Sequence, residues 1–298
     1  MSGAQLGYVR FGAQDPEQWK TLLCDMLGMQ LLEGSADEMI RMKMDDHPFR
    51  YLIEPHEEDK LLGMGWELSS QAEWDALLDR LSGAGVEVQD GTTDGAELRC
   101  VTAYATASDP DGNPLEFYYG RTGMGKPYEP QLDIKGFMTR HMGLGHIVIP
   151  APQQDTTHAF YRDLMGFGLS DILTLPPMFE EGPEQRIVFM HGQNPRHHSL
   201  ALYNFPIPSG CVHIMAEVGS LDEVGQALDR VKKAGLPLLA SLGRHENDEM
   251  VSFYVFGPGG IAVEFGYDGK TIDPKTYKAT SSTLGDIWGH DYQLFGGQ

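Results

Sequence analysis

Cysteine is scarce in this chain. Three residues, Cys24, Cys100 and Cys211, are spread over 298 positions, an odd total with no CxxC pair. That excludes a disulfide scaffold and a thiolate zinc site, and reads as three reduced, mostly buried thiols. Basic residues are few as well: 22 Lys and Arg stand against 43 Asp and Glu, a formal charge of −21. A surface of that sign repels nucleic acid and anionic lipid, whose binding rests on Lys and Arg neutralising phosphates. A small, weakly charged partner is the compatible one. No apolar run reaches the roughly 18–20 residues of a membrane-spanning helix. The opening MSGAQLGYVR lacks the basic stretch and apolar run of a signal peptide, so a cytoplasmic protein is expected. What is plentiful is core material: 41% of residues are hydrophobic, enough to set disorder aside.

The chain also repeats itself. Asp25-Met-Leu-Gly28 resembles Asp163-Leu-Met-Gly166 at an offset of 138. Leu78-Asp-Arg80 with Ala84-Gly85 resembles Leu228-Asp-Arg230 with Ala234-Gly235 at 150. Asp109–Phe117 resembles Gly257–Phe265 at 148, with a glutamate next to last in each. Three matches in one order at a nearly constant offset indicate a duplicated domain. Each half reads as a short strand (Leu6–Phe11; Gly143–Ile149), a helix (Pro16–Leu27; Asp155–Met165), alternating strands, a second helix (Gln71–Gly83; Leu221–Ala234) and a closing strand (Pro114–Tyr119; Ile261–Phe265). Asp15 with Pro16, and Ser220 with Glu223, supply helix-start chemistry. The fold class is α+β: two tandem domains, each of two βαβββ modules forming a barrel-like sheet. Residues 1–135 make the first domain with its linker, and 136–298 the second, whose tail from Trp288 to Gln298 is expected to pack back on it.

Of eleven histidines, only His47 and His56 precede residue 140. Three strand-like segments of the second half each place a metal-competent side chain among small and apolar neighbours: Gly143-Leu-Gly-His146-Ile-Val-Ile, Cys211-Val-His213-Ile-Met-Ala and Ile261-Ala-Val-Glu264-Phe-Gly. If the faces carrying His146, His213 and Glu264 line one cavity, two imidazoles and a carboxylate form the facial triad that leaves positions open on iron(II). A lone strand His is more often a hydrogen-bonded core residue. A buried strand Glu is harder to dismiss, since an unpaired carboxylate costs several kcal/mol. The offsets set His146 on Tyr8, His213 near Gly65–Trp66 and Glu264 on Glu116, so only the second half is equipped for a metal.

The stretch Gly243-Arg-His245-Glu-Asn247-Asp248-Glu-Met-Val-Ser-Phe-Tyr254-Val-Phe-Gly-Pro258-Gly-Gly-Ile-Ala-Val-Glu264 resembles the signature of the type I extradiol ring-cleaving dioxygenases of the vicinal oxygen chelate superfamily. In that family a His, a Tyr nine residues on, a Pro and a metal-binding Glu stand at this spacing. Gly257 departs from it, where an acidic, amide or small polar residue is usual. Gly145-His146-Ile-Val-Ile, Arg196-His197-His198-Ser-Leu-Ala201 and the Trp288-Gly289-His290 tail extend the likeness over most of the second half. It is nearest to members acting on bicyclic catechols such as 2,3-dihydroxybiphenyl.

The resemblance implies a non-haem iron(II) enzyme that inserts both atoms of O2 into a catechol with meta cleavage, giving a yellow ring-opened hydroxy-oxo acid. Manganese(II) suits the same N/O ligand set. The resemblance places acid/base duty on His198 rather than His197; in an extended segment only one of the two enters the cavity. His245 and Tyr254 would hydrogen-bond the catecholate and the oxygen charge that develops. Asn247 and Asp248 would support them, and Val148, Phe189, Ala201 and Phe205 are candidate apolar walls. His141, His158, His191 and His290 receive no catalytic role, and His245–Glu249 is no zinc-protease motif because its fifth residue is Glu. A homo-oligomer is implied by the likeness. Two other readings share the scaffold: a glyoxalase-type isomerase or lyase, which usually supplies a second Glu, and a non-enzymatic binder of aromatic compounds.

Overall fold

Ser70 and Ser220 open the two helices that the repeat pairs. Each hydroxyl accepts the backbone N–H three residues on, from Glu73 at 3.3 Å and Glu223 at 3.4 Å, so the first turn is capped in both halves by one device. The computed structural model describes residues 4–32, 39–123, 127–178 and 181–293. Its first half runs β1 (Gln5–Ala13), α1 (Pro16–Lys20, continued by a π turn Thr21–Met26), β2 (Gln30–Leu31), β3 (Ile40–Lys43) and β4 (Tyr51–Pro55). Then follow β5 (Lys60–Leu68), α2 (Gln71–Gly83), β6 (Gln89–Asp90), α3 (Thr93–Arg99), β7 (Val101–Ser108) and β8 (Pro114–Arg121). The second half runs β9 (Ile147–Pro150), α4 (Gln154–Asp163), β10 (Gly168–Leu175), β11 (Gln185–His191) and β12 (Leu200–Tyr203). It continues with β13 (His213–Val218), α5 (Leu221–Lys233), β14 (Leu238–His245), β15 (Val251–Phe256), β16 (Ala262–Tyr267), β17 (Thr280–Ser282) and β18 (Asp286–Gly289).

The first sheet has strand order β2-β3-β4-β1-β5-β8-β7-β6. The second is β10-β11-β12-β9-β13-β16-β15-β14, the same topology, with β17 and β18 added at its two edges. Each sheet is thus a pair of βαβββ modules joined at their first strands, β1 to β5 and β9 to β13. A core of buried aliphatic and aromatic side chains runs through both halves, with Trp66 meeting Phe167 edge-on at 5.1 Å. Backbone bonds Leu144 N–H to Leu6 O and Leu61 N–H to Ser209 O, both 2.8 Å, tie the halves directly.

Three features were not legible in the sequence pattern. Helix α3 is short, carries Gly95 and lacks an apolar stripe; Thr92 caps it through Gly95 N–H, and it ends at Cys100 in the left-handed region. The segment between the sheets is no free linker: Ile134 and Phe137 are buried, and Phe137 bridges to Val218. Finally, sheet register corrects one pairing of the repeat. Met215 lies opposite Glu264 and Gly65 opposite Glu116, so the counterpart of His213 is Gly63, not Gly65–Trp66. The tail from 280 to 292 lies on the second sheet; residues 294–298 fall outside the described ones.

Candidate metal centre

His146 immediately precedes β9, His213 opens β13 and Glu264 sits within β16. Met215 N–H donates to His146 O at 2.9 Å and Met215 faces Glu264 across the next pair, so His146 and Glu264 share one row of the sheet. His213 stands two residues before Met215 and therefore projects to the same side. The outcome is a triangle of ligand atoms. His146 Nε2 lies 3.1 Å from His213 Nε2 and 2.9 Å from Glu264 Oε2, and His213 Nε2 lies 3.4 Å from that same oxygen.

The donor set fits a divalent cation. Octahedral ligands at about 2.1 Å from a metal stand about 3 Å apart when adjacent, close to the sides of this triangle. Burial lowers the affinity of the His146 ring for a proton despite the nearby carboxylate. Burial would raise Glu264, but the His146, His213 and His245 rings more than offset it and hold the carboxyl well below its usual range. Neutral imidazole and ionised carboxylate are the states a metal requires. Glu264 Oε2 is buried and makes no properly directed hydrogen bond, an arrangement that costs free energy unless a cation shares the site.

Around this triangle stand the other histidines. The His198 ring stacks on His146 with centroids 4.0 Å apart, its Nδ1 3.1 Å from His197 Nδ1 and 3.8 Å from the Asp248 carboxylate. Burial, followed by the His146 and His197 rings, holds His198 well below its ordinary pKa and keeps it neutral. His197 turns away: its Nε2 meets Tyr277 Oη at 3.2 Å and its carbonyl accepts from the Ser170 hydroxyl. On the opposite flank His245 Nε2 is 2.6 Å from Tyr254 Oη and 3.3 Å from Glu264 Oε1. Burial lowers His245, but hydrogen bonds to Asp286 and Glu264 outweigh it and lift the ring well above its ordinary range. Burial and then the Glu264 charge raise Tyr254, so its phenol keeps its proton.

Residues 143–265 match the Glyoxalase/Bleomycin resistance protein/Dioxygenase superfamily, and residues 6–55 match dihydroxybiphenyl dioxygenase BphC D1. An iron-dependent extradiol dioxygenase of Rhodococcus jostii (strain RHA1) is 39% identical over 297 residues, 99% of either chain. A biphenyl-2,3-diol 1,2-dioxygenase of Paraburkholderia xenovorans (strain LB400) is 38% identical over 97% of this chain and 96% of its own. The chain belongs to the extradiol dioxygenase family. Among solved structures, that of BphC, a halotolerant catechol dioxygenase, matches this extradiol dioxygenase with a TM-score of 0.90 at 32% identity, covering 98% of this chain and 95% of that one.

Within this extradiol dioxygenase, Val148, Phe189 and Ala201 form one apolar cluster with Leu173, and Phe189 meets the His198 ring edge-on at 4.8 Å. Phe205 lies outside that cluster, half-buried against Tyr203 at 5.3 Å. Asp248 is buried beside His198, whereas Asn247 is half-buried and its amide oxygen accepts Asp248 N–H, which shapes the turn. Sequence reasoning passed over Leu173, Ser252 and Asp286, and gave His290 no catalytic role. Ser252 donates to Glu264 Oε1 at 2.7 Å, and it stands two residues before Tyr254 on the same face, a signal that alternation offered. Asp286 had no local signal.

Proposed function

We propose that the protein cleaves a catechol beside its pair of hydroxyls at iron(II) held by His146, His213 and Glu264, with bicyclic or ring-substituted catechols as the substrate class. One observation carries the reading: three ligand atoms, two imidazole nitrogens and a carboxylate oxygen, meet at mutual distances of 2.9–3.4 Å, and the His198 ring stacked on His146 abuts the apolar cluster at Phe189. The names of the Rhodococcus and Paraburkholderia relatives support the metal and the diol. Manganese(II) is the other metal the set accepts. Bound there, iron(II) supplies a redox centre at which a diol and dioxygen can react.

The chain's own residues supply the rest. Val148, Leu173, Phe189 and Ala201 hold the ring and keep water out. His198, neutral and stacked on His146, takes a hydroxyl proton at Nε2 and returns it to the oxygen that needs it later. His245 and Tyr254 donate from the opposite flank to the negative charge that develops on oxygen. Both atoms of O2 end in the product, the C–C bond next to the diol breaks, and a yellow hydroxy-oxo acid results. Asp248 orients His198; Asn247 and Phe205 act on the margin of the pocket. In the same reading residues 1–135 are a metal-free scaffold and 136–298 the catalytic domain, and the assembled enzyme is a homo-oligomer.

Anaerobic loading with iron(II), then oxygen-electrode assays over mono- and bicyclic catechols, tests this. Stoichiometric uptake with yellow product is expected, fastest with bicyclic diols. A loaded enzyme that consumes no oxygen with any diol would sink it, and diol-independent isomerase activity with a redox-inert metal would favour the glyoxalase-type alternative.

A further inference from the structure

Residues 280–292 cross the second half-barrel from edge to edge. β17 pairs with β10 at one margin and β18 with β14 at the other, with only residues 283–285 between them. The Thr280 and Ser282 hydroxyls anchor the segment on the buried Asp171 carboxylate at 2.7 and 2.5 Å. Among the described residues the first sheet has no such strap. A strap serving stability alone would bury its apolar side chains. This one leaves Leu284, Ile287 and Trp288 exposed at 62%, 57% and 47%, while His290 is 3% exposed.

The buried polar groups point at the site. A single oxygen of Asp286, Oδ1, lies 2.8 Å from His245 Nδ1 and 2.6 Å from His290 Nδ1. His290 Nε2 in turn reaches Ser252 O at 3.0 Å and Ser252 Oγ at 3.3 Å, and that hydroxyl donates to Glu264 Oε1. A closed circuit therefore runs Glu264–Ser252–His290–Asp286–His245 and back to Glu264. Its backbone is built for close approach. A Cβ on Gly243 would fall 2.4 Å from both the ring and the nitrogen of His290, and one on Gly289 would fall 2.2 Å from Leu242 O. His290 itself adopts φ 50°, a left-handed conformation that a non-glycine residue holds only when its surroundings impose it.

We propose that Asp286 and His290 are positioning residues for ring cleavage: Asp286 accepts His245 Nδ1–H, so that Nε2 is fixed toward Tyr254 and the reacting oxygens, and His290 holds Asp286 in place. The inference rests on the reading that His245 touches the reacting oxygens. An acceptor behind a catalytic imidazole sets its tautomer and rotation, and the strap is the element that supplies it.

The test is a double-mutant cycle in the iron-loaded enzyme, with 2,3-dihydroxybiphenyl as probe. Asp286→Ala should lower kcat about ten- to hundredfold, with KM within about threefold and metal content unchanged. His290→Ala should lose about tenfold. In a His245→Ala background both losses should vanish, because the residues act through that ring. Asp286→Asn, of equal size, is read by the same cycle should the alanine variant lose its fold. Wild-type kcat in the Asp286 variants, or an equal loss with and without His245, overturns the proposal. Failure of the functional reading shows earlier and elsewhere, as wild-type enzyme that takes up no oxygen with any diol, and it takes this proposal with it.

Discussion

The two halves share one topology, and each buries a glutamate on the equivalent strand, Glu116 or Glu264, but they neutralise it differently. Glu264 faces two imidazoles within coordination distance of one another. Its counterpart Glu116 takes a two-pronged bond from Arg99 at 2.7 and 2.6 Å, a short bond from Arg10 and a hydroxyl from Tyr8 at 2.6 Å. The ligand positions explain the choice. Tyr8 stands where His146 does, and Gly63 stands where His213 does; a Cβ there would meet Glu116 Oε1 at 2.9 Å. The space freed by the glycine lets guanidinium groups in, and Arg99 arrives on α3 with Tyr104 beneath it at 4.0 Å. Tyr104 occupies the register of Ser252, which in the second half hydrogen-bonds the carboxylate instead. A buried carboxylate needs a counter-charge. In one half that charge is covalent to the chain; in the other the carboxylate meets imidazoles instead, the set that the proposed metal would complete.

His213→Ala is the hardest blow to this contrast. It gives the second half the first half's ligand gap without its arginines. Elemental analysis should find metal falling from one ion per chain toward none, and oxygen uptake should drop about a thousandfold or more, with near-ultraviolet dichroism retained. Full metal content in this variant breaks the comparison.

Glu116→Gln probes the other half. It leaves the Arg10 and Arg99 guanidinium groups without their shared counter-charge, and should cost about 3 kcal/mol in urea unfolding while kcat per bound metal stays unchanged. The pH dependence carries the sign. Burial alone would raise Glu116, but Arg99 and Arg10 prevail and hold its pKa below the ordinary value. The stability it contributes is therefore complete above about pH 4.3, the unfolded value, and fades as pH falls below that toward the folded one. The Gln variant should lose that part of the acid slope; an unchanged slope places the charge balance elsewhere.

Much of this contrast is legible in the sequence. His146, His213 and Glu264 lay on alternating apolar strands, where a side chain's face follows from parity, and the repeat gave both glutamates at once. What the sequence withheld depends on register. A two-residue slip between strands leaves parity intact, so His213 was set against Gly65–Trp66 when the sheet sets it against Gly63. Arg99 and Asp286 stayed hidden for another reason: each reaches its carboxylate or imidazole from an element with no apolar periodicity, a one-glycine helix and a solvent-facing strap. The docking of the segment between the sheets stayed hidden as well, since its buried apolar residues Ile134 and Phe137 stand in no periodic run.

Tyr254→Phe sharpens the comparison at one atom. Its counterpart by register is Thr106, which no carboxylate-directed role requires. Removing the phenol oxygen from beside His245 Nε2 should lower kcat about a hundredfold, with metal content and KM nearly constant. Because burial and Glu264 raise the Tyr254 pKa, its proton stays on through neutral pH, and the alkaline limb of the wild-type rate profile should persist in the variant. A limb that disappears would assign the titration to this tyrosine.

The smallest effect separates the two halves where they look most alike. Ser70→Ala and Ser220→Ala each remove an N-cap of matched geometry, a loss of about 1 kcal/mol. Their surroundings differ. Glu73 turns back to Ser69 at the surface, accepting its hydroxyl at 2.5 Å and its N–H at 3.2 Å. Glu223 accepts the Ser220 hydroxyl at 2.8 Å with one oxygen and Lys135 N–H at 2.6 Å with the other, so the cap of α5 also clasps the segment joining the sheets. Removing Ser220 frees a carboxylate that is buried and already committed to a second element, whereas removing Ser70 frees only the Glu73 N–H, the Glu73 carboxylate being held by Ser69. Urea midpoints should therefore place Ser220→Ala below Ser70→Ala by about 0.5 kcal/mol. Equal midpoints would mean that the clasp on Lys135 does not depend on the cap.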